Sequence, residues 1–247
     1  MTMKEKLAVV VMAAGMGKRM KSDLPKALLP VGGKPMLGHI LQTARSLNPE
    51  KIVVVVGHKR EMVIETFAAP DVGFAVQDPQ LGTAHAVAQA EEALAGFMGV
   101  VAVLSADAPL ITRQTLERLI ESRAKKNAAV AALTVELDNP ASYGRILREN
   151  GKITGNVEAK DATSAQLEIN EINSGVYVFD SGFLFGALKK VDRNNAQGEY
   201  YLTDLINMAA RAGLPIAGIK TADPSEALGA NTAEDLDILD KILAARR

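Results

Sequence analysis

Small residues and cations are concentrated between residues 13 and 26, directly after an apolar run at 7–12. Four of the residues carry almost no side chain: Ala13, Ala14, Gly15 and Gly17. Four others are cations: Lys18, Arg19, Lys21 and Lys26. Backbone N–H groups that a ligand can approach closely, together with lysine and arginine, are the groups that bind phosphate. The segment predicts a phosphate-binding loop, although a basic surface turn rich in glycine and lysine is the alternative interpretation.

Two well-known phosphate loops do not match this segment. The dinucleotide fingerprint requires a third glycine where Met20 stands, and the P-loop requires Ser or Thr after Gly17-Lys18, where Arg19 stands. The segment is therefore a phosphate loop of another type.

A second polar segment, 77–86, follows a predicted strand. It begins with Gln77, whose amide offers a donor and an acceptor side by side, as reading the edge of a pyrimidine base requires. Gly82 and Thr83 follow and can cap a helix. A helix N-cap without a ligand is the alternative interpretation.

A carboxylate, Asp107, follows the apolar run at 100–105. An aspartate in this place can hold Mg²⁺ between triphosphate oxygens, because hard oxygen ligands suit that ion. The alternative is an acidic residue that precedes a proline turn at Pro109.

The elements that position these residues alternate along the chain. We predict strands at 7–12, 51–56, 73–77 and 100–105, and helices at 35–47, 60–67, 83–95 and 112–126. After these come a strand at 128–137, a hairpin turning at Asn150-Gly151, a strand at 171–179, a helix ending at 212, a strand at 216–220 and a final helix. This order predicts the α/β class with a mostly parallel sheet and ligands beyond the carboxyl ends of the strands.

Composition narrows the function classes. The 247 residues are 48% hydrophobic and 23% charged, with a formal net charge of -1, which gives no electrostatic case for binding nucleic acid or an anionic membrane. No apolar run is long enough to span a bilayer, and no secretion signal is recognisable at the start, so we predict a cytoplasmic location. Without cysteine there are no thiolate metal sites, and His39, His58 and His85 lack metal-ligand spacing. We interpret each histidine as structural or solvent-exposed.

The order of the residues in the opening loop is more specific than their composition. Ala-Ala-Gly-x-Gly-x-Arg-Met is followed by Leu-Pro-Lys-Ala-Leu and Gly-Lys-Pro-Met, and later runs at 158–162, 171–179 and 195–204 extend the likeness over nearly the whole chain. The sequence resembles the sugar-1-phosphate nucleotidyltransferase family, and most closely its N-acetylglucosamine-1-phosphate uridylyltransferases. That resemblance implies a Rossmann-like three-layer α/β/α fold with a small antiparallel insertion over the cleft.

The resemblance also implies a single nucleotidyltransferase domain over 1–247. Its nucleotide-binding part covers about 1–127, its sugar-binding part about 128–230, and a C-terminal helix 231–247. No β-helix acetyltransferase domain is expected. The expected assembly is a monomer or a weak oligomer.

The implied reaction is the transfer of UMP from UTP to N-acetylglucosamine 1-phosphate, which gives UDP-N-acetylglucosamine for peptidoglycan and cell-wall biosynthesis. It proceeds by Mg²⁺-assisted in-line attack of the sugar phosphate on the α-phosphate and releases pyrophosphate. Two alternatives remain open: a sister transferase that uses another sugar or nucleotide, and a non-catalytic sensor of nucleotide sugars.

The family's functional positions fall on these residues: Arg19 and Lys26 as the catalytic cations; Met12, Ala13, Ala14, Gly15, Gln77, Gly82 and Thr83 for the nucleotide; Ser105, Gly144, Glu158 and Asn173 for the sugar; and Asp107 and Asn231 for Mg²⁺. We predict that Arg19 contacts the β- and γ-phosphates and that Lys26 lies near the α-phosphate. A helix N-cap is the alternative role of Asn231. This chain departs from the family where Ser105-Ala106 replace an aromatic residue and glycine, and where Lys18 replaces threonine.

Overall fold

The structure is a computed structural model that describes residues 5–20 and 22–246, apart from the side chain of Lys18. The strands are β1 (Leu7–Ala13), β2 (Pro30–Val31), β3 (Lys34–Pro35), β4 (Lys51–Val56), β5 (Val72–Val76), β6 (Val100–Ser105), β7 (Val130–Glu136), β8 (Arg145–Glu149), β9 (Lys152–Val157), β10 (Glu171–Asp180) and β11 (Ile216–Lys220). The α-helices are α1 (Met36–Ser46), α2 (Arg60–Phe67), α3 (Thr83–Ala88), α4 (Arg113–Lys126), α5 (Ser164–Leu167), α6 (Ser181–Leu188), α7 (Asp204–Arg211) and α8 (Ala233–Ala245).

The central sheet runs in the order β11-β7-β10-β6-β1-β4-β5. β1 pairs in parallel with β4 and β6, β4 pairs in parallel with β5, and β7 pairs in parallel with β11. By contrast, β10 is antiparallel to both of its neighbours, β6 and β7. The hairpin of β8 and β9 joins this sheet at β10. The predicted mostly parallel sheet with a small antiparallel insertion is confirmed.

Three layers follow from the composition of the strands. β1, β4 and β6 are almost wholly apolar and valine-rich, and nearly all of their side chains are buried, so both faces of the sheet need cover. On one face α1, α2 and α4 supply Leu37, Val63 and Leu116. On the other face α6 and α7 supply Leu184 and Leu205. The predicted α/β/α arrangement is therefore confirmed.

Two local predictions have different outcomes. Asn150 (φ 49°) and Gly151 (φ 76°) both adopt left-handed backbone conformations between β8 and β9, as the predicted hairpin turn requires. The helix predicted for 83–95 is wrong in its length, because α3 ends at Ala88. The chain continues in turns to Gly96, stabilised largely by i→i−3 hydrogen bonds that wind the backbone more tightly than an α-helix.

The C-terminal helix α8 packs beside the opening loop. Its Leu239 is 1% exposed and lies in a small apolar cluster with Met20 and Leu29. Asp240 accepts a hydrogen bond from the backbone N–H of Gly32. The last helix thus helps to fix the first loop.

Within the part of the chain that the structure describes, we find no helix with the length and apolar character needed to cross a bilayer.

We predict that Leu239→Ala lowers the free energy of unfolding by about 2–4 kcal/mol, because it leaves a cavity between α8 and the opening loop. The neighbouring Ile238 is 47% exposed and serves as the control. Ile238→Ala should change the free energy of unfolding by less than about 0.5 kcal/mol. Urea denaturation of both variants measures the difference, and equal losses would contradict the packing of α8 described here.

Candidate active site

The carboxyl ends of β1, β5 and β6 meet at one edge of the sheet. Met12 in β1 lies opposite Ser105 in β6, and Gln77 follows β5 directly. A cavity of about 300 Å³ opens at this edge. All of the predicted nucleotide-binding residues line it: Met12, Ala13, Ala14, Gly15, Gln77, Gly82 and Thr83. Lys26, Ser105 and Asp107 line the same cavity.

Gly17 allows the opening loop to fold back onto Lys26. Its φ of +60° is left-handed, and a Cβ there would lie 3.0 Å from the Cβ of Lys26. Any other residue type would therefore be strained and crowded at this position. The loop conformation directs Lys26 toward the cavity, with its side chain 14% exposed.

Lys26, Asp107 and Asn231 meet at one point. The ammonium Nζ of Lys26 donates to Oδ2 of Asp107 and, at 3.0 Å, to Oδ1 of Asn231. A backbone hydrogen bond of 2.9 Å from Ala230 N–H to the Asp107 carbonyl joins the two ligand-bearing segments. The structure thus brings together the predicted α-phosphate cation and both predicted Mg²⁺ ligands.

The side chain of Asn231 is not used to cap α8. Thr232 is the N-cap, and its hydroxyl accepts from the N–H of Asp235. The alternative interpretation of Asn231 as an N-cap is therefore wrong, and its amide oxygen is directed to Lys26 instead.

The donor set at this point fits Mg²⁺. A carboxylate oxygen and an amide oxygen converge on a position that already attracts a cation, and both are hard ligands. The described residues contain no group of three or more acidic, histidine or cysteine side chains that could hold a metal. Further ligands would therefore have to come from substrate phosphates and water.

Ser105 contacts Asp107. Its hydroxyl donates to Oδ1 at 2.6 Å, while Oδ2 accepts from Lys26. Both carboxylate oxygens are thereby held in place. The structure puts Ser105 on the nucleotide-side cavity, so its assignment to the sugar stays a prediction.

The capping prediction is confirmed for Gly82 and wrong for Thr83. Gly82 is the N-cap residue of α3, with φ 117°, and a Cβ there would lie 2.5 Å from the backbone oxygen of Tyr200. The Thr83 hydroxyl accepts from the N–H of Leu202 at 2.9 Å, so it caps no helix. These contacts hold segment 200–202 against the start of α3.

The predicted sugar residues Gly144, Glu158 and Asn173 line a second cavity of about 270 Å³. Met12 and Thr83 line both cavities, so the two are neighbours. The Asn173 backbone N–H donates to the Gly144 carbonyl at 3.0 Å, which ties the loop before β8 to β10. The arrangement offers adjacent sites for two ligands.

Glu158 is a partly buried carboxylate. Burial raises its pKa, and hydrogen bonds from the Thr203 hydroxyl at 2.9 Å and the Asn156 amide at 3.3 Å lower it in part. Within the described residues it forms no salt bridge. Its charge is compensated by neutral donors alone, which leaves it ready to accept from ligand hydroxyls.

Arg19 is exposed and forms no hydrogen bond or salt bridge within the described residues. Its predicted contact with the β- and γ-phosphates stays a prediction. Lys21 and the side chain of Lys18 lie outside the described residues. The structure therefore gives no position for the positive charges of these two lysines.

Three site residues were missed from the sequence. Asn156 is 4% exposed and connects Asn173 to Glu158, since its Oδ1 accepts from Asn173 and its Nδ2 donates to Glu158. Tyr143 lines the sugar-side cavity, and its hydroxyl accepts from the N–H of Gly229 at 3.4 Å. His85 contacts Gln77 at 3.1 Å. No signal in the sequence distinguishes Asn156, because its strand β9 also contains Lys152, Thr154 and Gly155.

Comparison with known proteins gives a family and relatives for this chain. The family model of the MobA-like NTP transferase domain matches residues 9–165. The bifunctional protein GlmU of Janthinobacterium sp. (strain Marseille) is 47% identical over 234 residues, which cover 95% of this chain and 51% of that protein. The bifunctional protein GlmU of Desulfotalea psychrophila is 42% identical over 242 residues, covering 98% of this chain and 71% of that protein.

The fold also matches a solved structure of UDP-glucose pyrophosphorylase complexed with UDP-glucose. The TM-score is 0.76 at 19% identity, with 98% of this chain and 100% of that chain covered. The chain spans about half the length of the Janthinobacterium relative, 51%. The family-model match and the Desulfotalea relative show that the chain belongs to the MobA-like NTP transferase domain family, as a nucleotidyltransferase of the GlmU group.

Proposed function

We propose that this chain transfers UMP from UTP to N-acetylglucosamine 1-phosphate and releases pyrophosphate. The observation that carries the proposal is the contact of Lys26 with both Asp107 and Asn231, beside a cavity lined by every predicted nucleotide residue. The sequence likeness to GlmU proteins supports the choice of nucleotide and sugar. We also propose that the enzyme acts in the cytoplasm on these small-molecule substrates.

The proposed reaction depends on compensation of phosphate charge more than on proton transfer. The nucleophile is a phosphate oxygen that is already ionised, so no side chain has to act as a base. The difficulty is to bring two polyanions together and to stabilise charge that develops on the α-phosphate and on the leaving pyrophosphate.

Lys26 supplies part of that charge. Its side chain is only 14% exposed, and an ammonium that is shielded from water interacts strongly with a nearby anion. In the absence of a ligand its partners are Asp107 and Asn231, and an α-phosphate would offer it a further anionic partner. Arg19, exposed at the rim of the opening loop, is proposed to bind the β- and γ-phosphates.

Mg²⁺ is the proposed cofactor, and Asp107 and Asn231 would hold it. When bound, it would neutralise phosphate charge shared between the two substrates. The hydrogen bond from Ser105 keeps the Asp107 carboxylate oriented toward this position. The neutral amide of Asn231 limits the negative charge that the protein itself adds.

The sugar-side cavity is proposed to bind the sugar hydroxyl and acetamido groups. Glu158 is an acceptor for hydroxyl donors, while the Asn173 amide is fixed through Asn156. Because Met12 and Thr83 line both cavities, a sugar phosphate bound here would lie next to the nucleotide phosphates.

The proposal is tested by incubating the protein with UTP, N-acetylglucosamine 1-phosphate and Mg²⁺ and measuring pyrophosphate and UDP-N-acetylglucosamine. A panel of other sugar 1-phosphates and nucleotides, run in parallel, identifies a sister specificity. Binding of UDP-sugar without release of pyrophosphate from any pair would support a non-catalytic sensor and overturn the proposal.

We predict that Lys26→Ala and Arg19→Ala each lower kcat by at least about tenfold, the scale of one lost charge contact in the transition state. Lys34 is a suitable control, because it lies in the same part of the chain and its Nζ donates to Gln42 rather than into the site. Lys34→Ala should leave kcat within about twofold. Unchanged turnover in both site variants would refute the assignment of the cations.

We predict that Glu158→Gln changes the dependence of stability on pH. Burial raises the pKa of Glu158 above its usual 4.5, so the folded state holds a proton that the unfolded state has already lost. The free energy of unfolding of the wild type therefore falls as pH rises from 4.5 through the raised pKa. Glu158→Gln lacks this fall, because its side chain does not titrate.

Urea denaturation at about pH 4.5 and pH 8 measures this difference. Burial also raises the pKa of Asp204, and its contribution should persist in both proteins. An identical pH dependence in wild type and Glu158→Gln would show that Glu158 ionises normally.

A further inference from the structure

The side chain of Gln77 is almost fully enclosed and held by two acceptors. The residue is 3% exposed. Its Nε2 lies 2.9 Å from the carbonyl oxygen of Gly82 and 3.1 Å from Nδ1 of His85. The Gly82 carbonyl can only accept, so the amide nitrogen must face it. Both N–H groups of the amide are then used within the protein.

This orientation decides what Gln77 offers to a ligand. The remaining amide atom is the oxygen Oε1, and no donor among the described residues is hydrogen-bonded to it. Gln77 lines the nucleotide-side cavity. The group left for a ligand at this position is therefore an acceptor.

His85 can accept from Gln77 only as a neutral ring that carries its proton on Nε2. Burial lowers the pKa of His85, which favours the neutral ring. The ring also stacks on Tyr200, with centroids 6.1 Å apart and an interplanar angle of 28°. The guanidinium carbon of Arg193 lies 5.3 Å from the centroid of the same Tyr200 ring. The His85 ring is thus in contact with both Gln77 and Tyr200.

We propose that His85 is a positioning residue for base selection, because its Nδ1 fixes the Gln77 amide so that Oε1 accepts from the N3–H of a uracil base. This proposal rests on the proposed function, which makes a uridine nucleotide the ligand of this cavity. Uracil carries a hydrogen at N3, whereas cytosine carries a lone pair there that would face Oε1. Cytosine could pair its amino group with Oε1 only by shifting along its edge, and the ribose and phosphates would shift with it.

Two nearly isosteric substitutions separate this role from a structural one. His85→Asn keeps an acceptor close to the position of Nδ1, whereas His85→Leu has the same branched shape without the acceptor. Both lose the stacking on Tyr200. A purely structural role for the ring would therefore affect both variants alike.

The experiment measures the dissociation constants of UTP and CTP by calorimetry for wild type and both variants, and kcat/KM for both nucleotides where turnover occurs. The wild type should bind UTP more tightly than CTP. We expect His85→Leu to reduce this preference by about threefold to tenfold, the scale of one neutral hydrogen bond, and His85→Asn to retain most of it. Equal preferences in the two variants, or no preference in the wild type, would overturn the proposal.

The two proposals fail in different ways. Absence of pyrophosphate release from the wild type, with the expected pattern of UTP and CTP binding, would overturn the transferase function and leave the role of His85 intact. Release of pyrophosphate together with equal binding preferences in His85→Leu and His85→Asn would overturn only the role of His85.

Discussion

The contact of one ammonium group with two oxygen donors is the interaction on which the site depends. Lys26 comes from the opening loop, Asp107 from the segment after β6, and Asn231 from the segment before α8. None of these three residues lies in a β-strand or an α-helix, and the shared cation and the backbone hydrogen bond from Ala230 to Asp107 join their segments. The same convergence puts the proposed α-phosphate cation and both proposed Mg²⁺ ligands at one point.

Two parts of the central sheet position the residues around this contact. The buried parallel strands bring the segments after β1, β5 and β6 to one edge, where small residues leave the backbone open. The antiparallel strand β10 and the β8–β9 hairpin then place Asn173 and Glu158 beside that edge. The mixed sheet thus puts a second cavity next to the first.

The elements, and the positions of Gln77 and Asp107 just after strands, could be predicted from the sequence because their signals are local. The assignments of Gly144, Glu158, Asn173 and Asn231 came instead from the resemblance to the family. Runs such as that of β4 have few other interpretations, and a carboxylate or amide directly after such a run faces the ligand edge of a parallel sheet. Contacts between distant segments could not be predicted in this way. The role of Asn156 depends on Asn173 in another strand, and that of Tyr143 depends on Gly229, 86 residues further along the chain.

Local propensity also misled where tertiary packing decided the outcome. The alanine- and glutamate-rich stretch after Ala88 favours a long α-helix, yet the chain winds there with i→i−3 bonds. The spacing of the histidines could not reveal that His85 contacts the Gln77 amide. Such a contact depends on which atoms of two side chains face each other, and residue order does not specify that.

The separation of Lys26 and Asn231 by 205 residues has a consequence for biosynthesis. Because translation runs from the N-terminus, Lys26 leaves the ribosome well before Asn231. In the sheet, β10 lies between β6 and β7, although it follows both in the chain. The strands therefore cannot pair in the order in which they are translated. A growing chain thus brings Lys26, Asp107 and Asn231 together only after all the strands of the central sheet have been made.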